Sequence, residues 1–325
     1  MSDNIRGDEV TPDLKGAYKS VYFENTKDML DGLNKVSPSF CLAKWFNVSI
    51  HIPTGRTHSC YHPQTHKVPL EELAADPGAL HNTKYKKEQR KKMLMGERPK
   101  ECSFCWDIED TGNMSDRAYR SFDVNAPGVI DEALAVGFEG NPAPKYLEVN
   151  FNQACNFKCA YCSPHLSTEW HKEVKEHGPF KLVDRTHNDD SWMQAQGWVP
   201  DNSPTNPYLT AFWEWFPELY GSLDTFRITG GEPLLSKDTW KVLDYILETD
   251  TPNKNLKLSI NSNLGITDEL VDKLITKVDK IIKEDRVIPL THYYYIDNSL
   301  IEIFSRSHPV LSSKCVLAFS IFGFL

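Results

Sequence analysis

Alternating apolar and polar side chains mark a regular region that begins near residue 145. Residues 145–152 alternate strictly, which predicts a β-strand with one apolar and one polar face. Further strands that keep a polar face are predicted at residues 225–229 and 257–261. A strand buried on both faces would be apolar throughout, so each of these strands turns one face towards a polar environment.

A helix is predicted after each of the three strands. Ser167, Ser236 and Thr267 stand where N-cap residues are expected, and Gly178 is placed to end the first helix. Repeated strand–helix units imply a parallel sheet or barrel. We therefore predict an α/β fold, a partial (β/α) barrel with a polar interior and helices outside. Short or edge strands with a solvated face are the alternative.

The remaining segments differ from this α/β core, which is assigned to residues 145–286. Residues 1–36 are a polar lead-in, and residues 37–110 form a small cysteine-rich α+β module. Residues 111–144 carry the turn signals of a connector. Residues 287–325 form an atypical tail in which the strand–helix alternation does not continue, so the barrel is expected to be truncated.

Length and charge narrow the classes of function. The chain has 325 residues and a net charge of −9, which argues against a protein that grips nucleic acid through its phosphates. The basic run at residues 84–92 lies on a predicted helix, and a solvated face is the favoured interpretation. No run reaches the roughly 20 apolar residues of a membrane helix, and the start of the chain lacks the apolar stretch of a signal peptide. A cytoplasmic protein without a membrane partner is therefore expected.

Seven of the eight cysteines fall into two sets with the spacing of metal ligands. In a reducing cytosol, clustered cysteines more often bind metal or act in catalysis than form disulfides. One set, Cys155, Cys159 and Cys162, directly follows the first predicted strand. Three thiolates can hold three irons of a 4Fe-4S cube and leave the fourth iron open to a small molecule. A zinc site or buried cysteines are the alternatives on spacing alone.

This CxxxCxxC spacing at the end of a first strand resembles that of the radical S-adenosylmethionine (SAM) superfamily. A second resemblance ends the second strand, where four residues are similar to the family's Gly-Gly-Glu-Pro motif: Gly230, Gly231, Glu232 and Pro233. In the family this motif binds the amino group of the methionine moiety. Glycines allow a close approach of the backbone, and a glutamate or carbonyl oxygen accepts from an amino group. Taken alone, such a motif is an ordinary turn.

Two weaker resemblances concern Tyr161 and the end of the third strand. Tyr161 precedes the last cysteine, where the family often places an aromatic side chain near the adenine. Ser259 and Asn261 resemble a polar strand-end motif that faces the cofactor or the substrate. Simple packing of Tyr161 and an Asx turn that ends the strand are the alternatives.

The resemblance implies radical SAM chemistry. An electron from the reduced 4Fe-4S cluster cleaves SAM bound at the open iron, and the resulting 5′-deoxyadenosyl radical abstracts a hydrogen atom from the substrate. Such an oxidoreductase or transferase needs an external electron donor, such as a flavodoxin or a ferredoxin. The cofactor carries the difficult chemistry, while the protein orients the reactants and excludes side reactions.

The other set, Cys41, Cys60, Cys102 and Cys105, lies in the N-terminal module. Taken alone, four cysteines that end in CxxC indicate structural zinc. A predicted hairpin that turns at Gly55 and a helix before the CxxC resemble instead the SPASM and Twitch domains, which hold an auxiliary 4Fe-4S cluster. The resemblance implies two clusters per chain and, by analogy alone, a peptide or protein substrate. In the family this module usually follows the barrel, whereas here it precedes it.

A different class of function also fits the two cysteine sets. A non-catalytic iron–sulfur or zinc protein would use the same ligands. An inactive, truncated fragment of a radical enzyme is a further alternative, because the later barrel strands would complete cofactor and substrate binding. Cys315, in the atypical tail, has no partner pattern.

Overall fold

The computed structural model describes residues 21–181 and 188–287. Most of the predicted lead-in and nearly all of the predicted tail, with Cys315, therefore lie outside the described residues. The described chain divides into two compact units. Unit 1 comprises residues 21–49 and 56–146, and unit 2 comprises residues 50–55, 147–181 and 188–287.

The described residues contain six β-strands. The strands are β1 (Asn47–His51), β2 (Arg56–His58), β3 (His66–Lys67), β4 (Tyr146–Asn150), β5 (Thr225–Thr229) and β6 (Lys257–Ile260). In unit 1, β2 lies beside β3, and the strands of unit 2 lie in the order β4-β5-β6. Strands β2 and β3 are antiparallel, with Thr57 opposite His66, and β5 and β6 are parallel, with Phe226 opposite Leu258. The α/β class is confirmed, and the barrel stays a prediction.

The helices of unit 1 enclose a largely apolar core. They are α1 (Thr26–Val36), α2 (Ala43–Phe46), α3 (Leu70–Ala75), α4 (Lys84–Leu94), α5 (Ser103–Glu109), α6 (Asp116–Phe122) and α7 (Val129–Val136). Asn25 caps α1 by accepting the backbone N–H groups of Lys27 and Asp28. Met29, Leu33 and Trp45 are fully buried in the core that these helices share. The segment expected to be a connector, residues 111–144, lies within this unit.

The basic helix α4 is not the solvated face that its charges suggested. Lys86 and Arg90 are almost completely buried. The Lys86 Nζ donates to the Asn47 carbonyl at 2.9 Å, and the Arg90 Nε donates to the Lys44 carbonyl at 2.9 Å. The interpretation as a solvated face was wrong for these two residues, because their charged groups are buried and donate to backbone carbonyls of other segments.

Unit 2 has the three predicted helices and two further ones between the first of them and β5. They are α8 (Thr168–His177), α9 (Asp190–Ala195), α10 (Pro207–Tyr220), α11 (Lys237–Glu248) and α12 (Asp268–Lys283). Ser167 caps α8 and Ser236 caps α11 through their side chains, as predicted, while Thr267 makes no side-chain cap bond. Phe212 and Phe216 of α10 are buried, and Phe216 packs on Phe226 of β5. Each of β4, β5 and β6 is followed by its predicted helix, and α9 and α10 are additional helices between α8 and β5.

Candidate functional site

The loop that carries the CxxxCxxC motif follows β4 and is fixed by the start of α8. The Thr168 hydroxyl accepts the backbone N–H of Cys155 at 3.1 Å and donates to the carbonyl of the same residue at 2.9 Å. The Trp170 indole N–H donates to the Cys159 carbonyl at 2.9 Å. The Cys162 N–H reaches that carbonyl as well, at 2.9 Å. Both ends of the cysteine loop are therefore anchored by one helix.

The three cysteines of this loop are free thiols of intermediate exposure. Burial raises the pKa of Cys162, and the nearby Cys155 and Cys159 raise it further. Burial and a hydrogen bond to Cys159 raise the pKa of Tyr161 to about 12, although the Tyr161 side chain remains 69% exposed. The three sulfur atoms thus lie close enough to influence one another, with Tyr161 beside them.

The loop after β5 approaches the cysteine loop so closely that two glycines are needed. A Cβ on Gly231 would lie 2.2 Å from the Ala154 carbonyl oxygen, directly before Cys155. Gly230 has φ +133, and a Cβ there would lie 2.7 Å from the Asn150 Oδ1. The backbone N–H of Glu232 donates to the Ala154 carbonyl at 2.6 Å. The glycines are therefore explained by this contact between loops.

The Glu232 carboxylate is completely buried and serves a structural role. Its Oε1 accepts the Leu234 N–H at 2.9 Å and the Ser262 hydroxyl at 2.7 Å, and its Oε2 accepts the Asn263 N–H at 2.7 Å. Pro233, also buried, begins the short 3-10 turn that follows. Glu232 thus ties the loop after β5 to the loop after β6, a role that the motif did not reveal.

The loop after β6 also meets the cysteine loop. The Asn263 side-chain amide donates to the Asn156 Oδ1 at 3.1 Å, and the Asn156 amide donates to the Gly265 carbonyl. Asn156 belongs to the CxxxCxxC segment. The three strand ends in which the sequence indicated candidate residues are therefore joined by direct hydrogen bonds.

The polar face of β4, β5 and β6 carries a row of interacting side chains. The Arg227 Nε lies 3.6 Å from the Glu148 carboxylate and donates to the Asn261 Oδ1 at 3.3 Å. Asn261 is therefore engaged by Arg227. Ser259, two residues earlier on β6, is opposite Arg227 in the strand pairing. The predicted polar face is present, and an ion pair and a hydrogen bond join its side chains.

The second set of cysteines comes together in unit 1. Cys41, Cys60, Cys102 and Cys105 all line one small pocket that is partly open to solvent. Burial raises the pKa of Cys60 to about 11 and those of Cys102 and Cys105 to about 12. Thiols with such raised pKa values are poor nucleophiles. Burial therefore disfavours the charged thiolate form of these three cysteines.

Two buried cations also line the four-cysteine pocket. The Lys44 ammonium pairs with Glu101, and the Arg117 guanidinium pairs with Glu109 at 2.8 Å. Burial alone would lower the pKa of Lys44, but Cys102 and Glu101 outweigh burial and raise it. The walls of the pocket therefore combine thiols with fixed positive charge.

Sequence reasoning found the cysteines but missed several residues that build their surroundings. Lys44, Arg117 and Asp116 line the four-cysteine pocket, and two of them come from the segment expected to be a connector. Asn156 and Ser262 join the strand ends in unit 2. Asn156 was inside the cysteine motif and was treated as a spacer. No local pattern distinguished the others.

Among the residues that the structure describes, no three side chains of His, Cys, Asp or Glu are grouped tightly enough to hold one metal ion. Zinc and a 4Fe-4S cluster both stay alternatives for the four cysteines of unit 1.

Comparison with known proteins gives one partial match. The chain is 27% identical over 125 residues to a GTP 3′,8-cyclase from Campylobacter lari, a radical SAM enzyme. The match covers 37% of this chain and spans only 28% of the length of the cyclase. No protein-family model matches the chain, and no solved structure matches it. Within the described segments, no helix is long and apolar enough to cross a membrane. The partial match supports a relationship to the radical SAM superfamily.

Proposed function

We propose that this chain is a radical SAM enzyme whose catalytic 4Fe-4S cluster is held by Cys155, Cys159 and Cys162. The observation that carries the proposal is the junction of three strand ends, in which the loops after β5 and β6 are hydrogen-bonded to the cysteine loop. When bound, the cluster and SAM would supply a 5′-deoxyadenosyl radical that abstracts hydrogen from the substrate. The partial match to a radical SAM enzyme supports the same assignment.

The residues present fit this cofactor pair. Three free thiols on one anchored loop leave one corner of a cube without a protein ligand. At Gly230 a Cβ would lie 2.7 Å from the Asn150 Oδ1, so only glycine lets the loop after β5 pass this close to β4. Tyr161, 69% exposed beside the thiols, offers an aromatic face for the adenine. In this proposal the chain binds and orients SAM, with Ser259 and Asn261 on the polar face towards the substrate.

The proposal includes an auxiliary 4Fe-4S cluster in the SPASM/Twitch-like module of unit 1. Cys41, Cys60, Cys102 and Cys105 line one pocket and would complete the ligation of one cube. The positive charges of Lys44 and Arg117 would offset the net negative charge of a cluster with four thiolates. A peptide or protein substrate, an external electron donor and a partial radical SAM barrel belong to the same proposal by analogy.

Electron paramagnetic resonance of the reduced protein tests the assignment of the catalytic cluster. The variant with Cys41, Cys60, Cys102 and Cys105 replaced by Ala isolates the signal of the other cluster. We expect SAM to change that signal, because the open iron would gain a ligand. A signal from this variant that SAM leaves unaltered would indicate a cluster that only transfers electrons.

A further inference from the structure

Buried positive charge is concentrated around the four-cysteine pocket of unit 1. Among the described residues of this unit, four cationic side chains are buried: Lys44, Lys86, Arg90 and Arg117. Charged side chains are almost never fully buried in proteins without a partner of opposite charge. Each of these cations therefore needs a negative charge nearby.

Two of the four cations have a carboxylate partner. Lys44 pairs with Glu101, whose side chain is only 11% exposed. The Arg117 guanidinium binds Glu109 through two hydrogen bonds of 2.8 Å, from Nε and from one Nη atom. The charge of Arg117 is therefore balanced within the protein, and that of Lys44 is opposed by one acidic residue.

The other two cations make their described hydrogen bonds to neutral partners. The Lys86 Nζ contacts the His81 Nδ1 at 2.7 Å and the Asn47 carbonyl at 2.9 Å. An Arg90 Nη atom donates to the Asn82 Oδ1 at 2.8 Å. Burial lowers the pKa of Lys86, and it lowers the pKa of Arg90 to about 9, at which the guanidinium still carries its charge at neutral pH. Unit 1 thus holds more buried positive than buried negative charge within its described residues.

An anionic group in the four-cysteine pocket would supply the missing negative charge. A 4Fe-4S cluster with four thiolate ligands carries a net negative charge, and reduction adds one electron to it. Hydrogen bonds and nearby charges are among the features by which a protein sets the potential of such a cluster. The excess of buried cations therefore fits the proposed cluster.

Lys44 is the cation of this group that acts on the thiols of the pocket. It lines the pocket together with Cys60 and Cys102. Burial raises the pKa of Cys102, and the largest influence that opposes burial is the charge of Lys44. For Cys60, the charge of Lys44 also opposes the effect of burial. Glu101, the partner of Lys44, raises the pKa of Cys102 and so acts in the opposite direction.

We propose that Lys44 raises, and Glu101 lowers, the reduction potential of a 4Fe-4S cluster held by the four cysteines of unit 1. This inference rests on the auxiliary cluster of the proposed function and adds the residues that tune it. A nearby cation stabilises the reduced, more negative cluster, whereas a nearby anion destabilises it. Zinc in the same pocket has no redox chemistry that these residues could tune.

Redox titration followed by electron paramagnetic resonance tests the inference. The full chain with Cys155, Cys159 and Cys162 replaced by Ala is reconstituted anaerobically with iron and sulfide, so that only the unit 1 cluster remains. Lys44→Met and Glu101→Gln are compared in this background. At the midpoint potential of the background protein, the ratio of reduced to oxidised cluster should fall roughly tenfold in Lys44→Met and rise roughly tenfold in Glu101→Gln. In the double variant the two shifts should largely cancel.

Lys100→Met is the matched control, because it removes the same charge from an exposed side chain next to Glu101 in sequence. Solvent screens that charge, so the potential should change little. Shifts of the same sign in Lys44→Met and Glu101→Gln would overturn the inference, as would no shift in either or an equal shift in Lys100→Met. If Lys44→Met takes up no iron, the sign of the shift in Glu101→Gln decides.

The outcomes separate this inference from the proposed function. A background protein that holds zinc and takes up no iron would overturn the auxiliary cluster of the proposed function and, with it, the inference. An iron-loaded cluster with unshifted potentials would overturn the inference alone. Failure of the catalytic assignment to Cys155, Cys159 and Cys162 would leave the expected shifts unchanged, because these cysteines are absent from the background protein.

Discussion

The carboxylate of Glu232, at the end of β5, accepts the backbone N–H of Asn263 at 2.7 Å, beyond the end of β6. The same carboxylate binds the Ser262 hydroxyl. Because Asn263 in turn contacts Asn156 of the cysteine loop, one glutamate links the Gly-Gly-Glu-Pro motif to two other strand ends. The three motifs therefore form one connected assembly.

Replacing Glu232 should therefore weaken the fold as well as the site. In Glu232→Gln, an amide NH2 replaces an acceptor and opposes a buried donor, so the free energy of unfolding should fall by about 1–3 kcal/mol. Urea unfolding of the protein without cofactors measures this loss. Glu176→Gln is the control, since the Glu176 side chain is 75% exposed. Equal midpoints for the wild type and Glu232→Gln would show that the carboxylate does not hold the loops.

The close approach at Gly231 gives a second prediction. A Cβ in Gly231→Ala would meet the Ala154 carbonyl oxygen at 2.2 Å, so the two loops must separate and Cys155 must shift. We expect lower iron incorporation and weaker SAM binding. Gly221→Ala is the matched control, because its nearest contact would be 3.9 Å away. Normal iron content and SAM affinity in Gly231→Ala would contradict this account of the loop contact.

The two cysteine sets should hold their clusters independently. Replacing Cys155, Cys159 and Cys162 by Ala should reduce iron and sulfide to roughly half of the wild-type contents, because one of two cubes is lost. Replacement of the four unit 1 cysteines should remove the other half. Chemical analysis after anaerobic reconstitution measures both. Tightly bound zinc in the isolated protein, without uptake of iron, would favour the structural alternative.

The partly buried His66 of β3 makes stability depend on pH. Burial and the nearby Lys86 lower the pKa of His66 to about 3 from its usual value of 6.5. The unfolded chain therefore binds the proton more readily, and stability is lost as the pH falls from about 6.5 towards 3. In His66→Gln this part of the loss should disappear, whereas the exposed His177→Gln should keep it. Urea midpoints measured across this range test the difference, and parallel curves for the wild type and His66→Gln would refute it.

Sequence patterns anticipated the elements better than the contacts between them. The cap residues Ser167 and Ser236 and the alternation at 145–152 gave β4, α8 and α11, because such signals are local. The burial of Lys86 and Arg90 was not predictable, since it depends on carbonyls of Asn47 and Lys44 that are distant in sequence. The neighbouring sequence shows only that Lys86 and Arg90 are charged.

In the candidate site too, the sequence indicated the motifs but not the contacts between them. Cysteine spacing and Gly-Gly-Glu-Pro are short-range motifs, and the structure brings their loops together. Glu232 joins two loops by accepting from Ser262, 30 residues later in the chain. Only the structure shows that the Asn150 Oδ1 is buried without a partner among the described residues. The barrel and the auxiliary cluster stay predictions, because three strands do not establish barrel curvature and because only chemical analysis reveals which group the four cysteines of unit 1 bind.

Formation of 5′-deoxyadenosine from SAM tests the central claim most directly. The protein is reconstituted anaerobically, reduced with dithionite and incubated with SAM, and the product is measured by liquid chromatography with mass spectrometry. The account predicts that the wild type forms 5′-deoxyadenosine and that the variant with Cys155, Cys159 and Cys162 replaced by Ala forms none. Absence of the product from fully iron-loaded wild type, or equal amounts from both proteins, would contradict it.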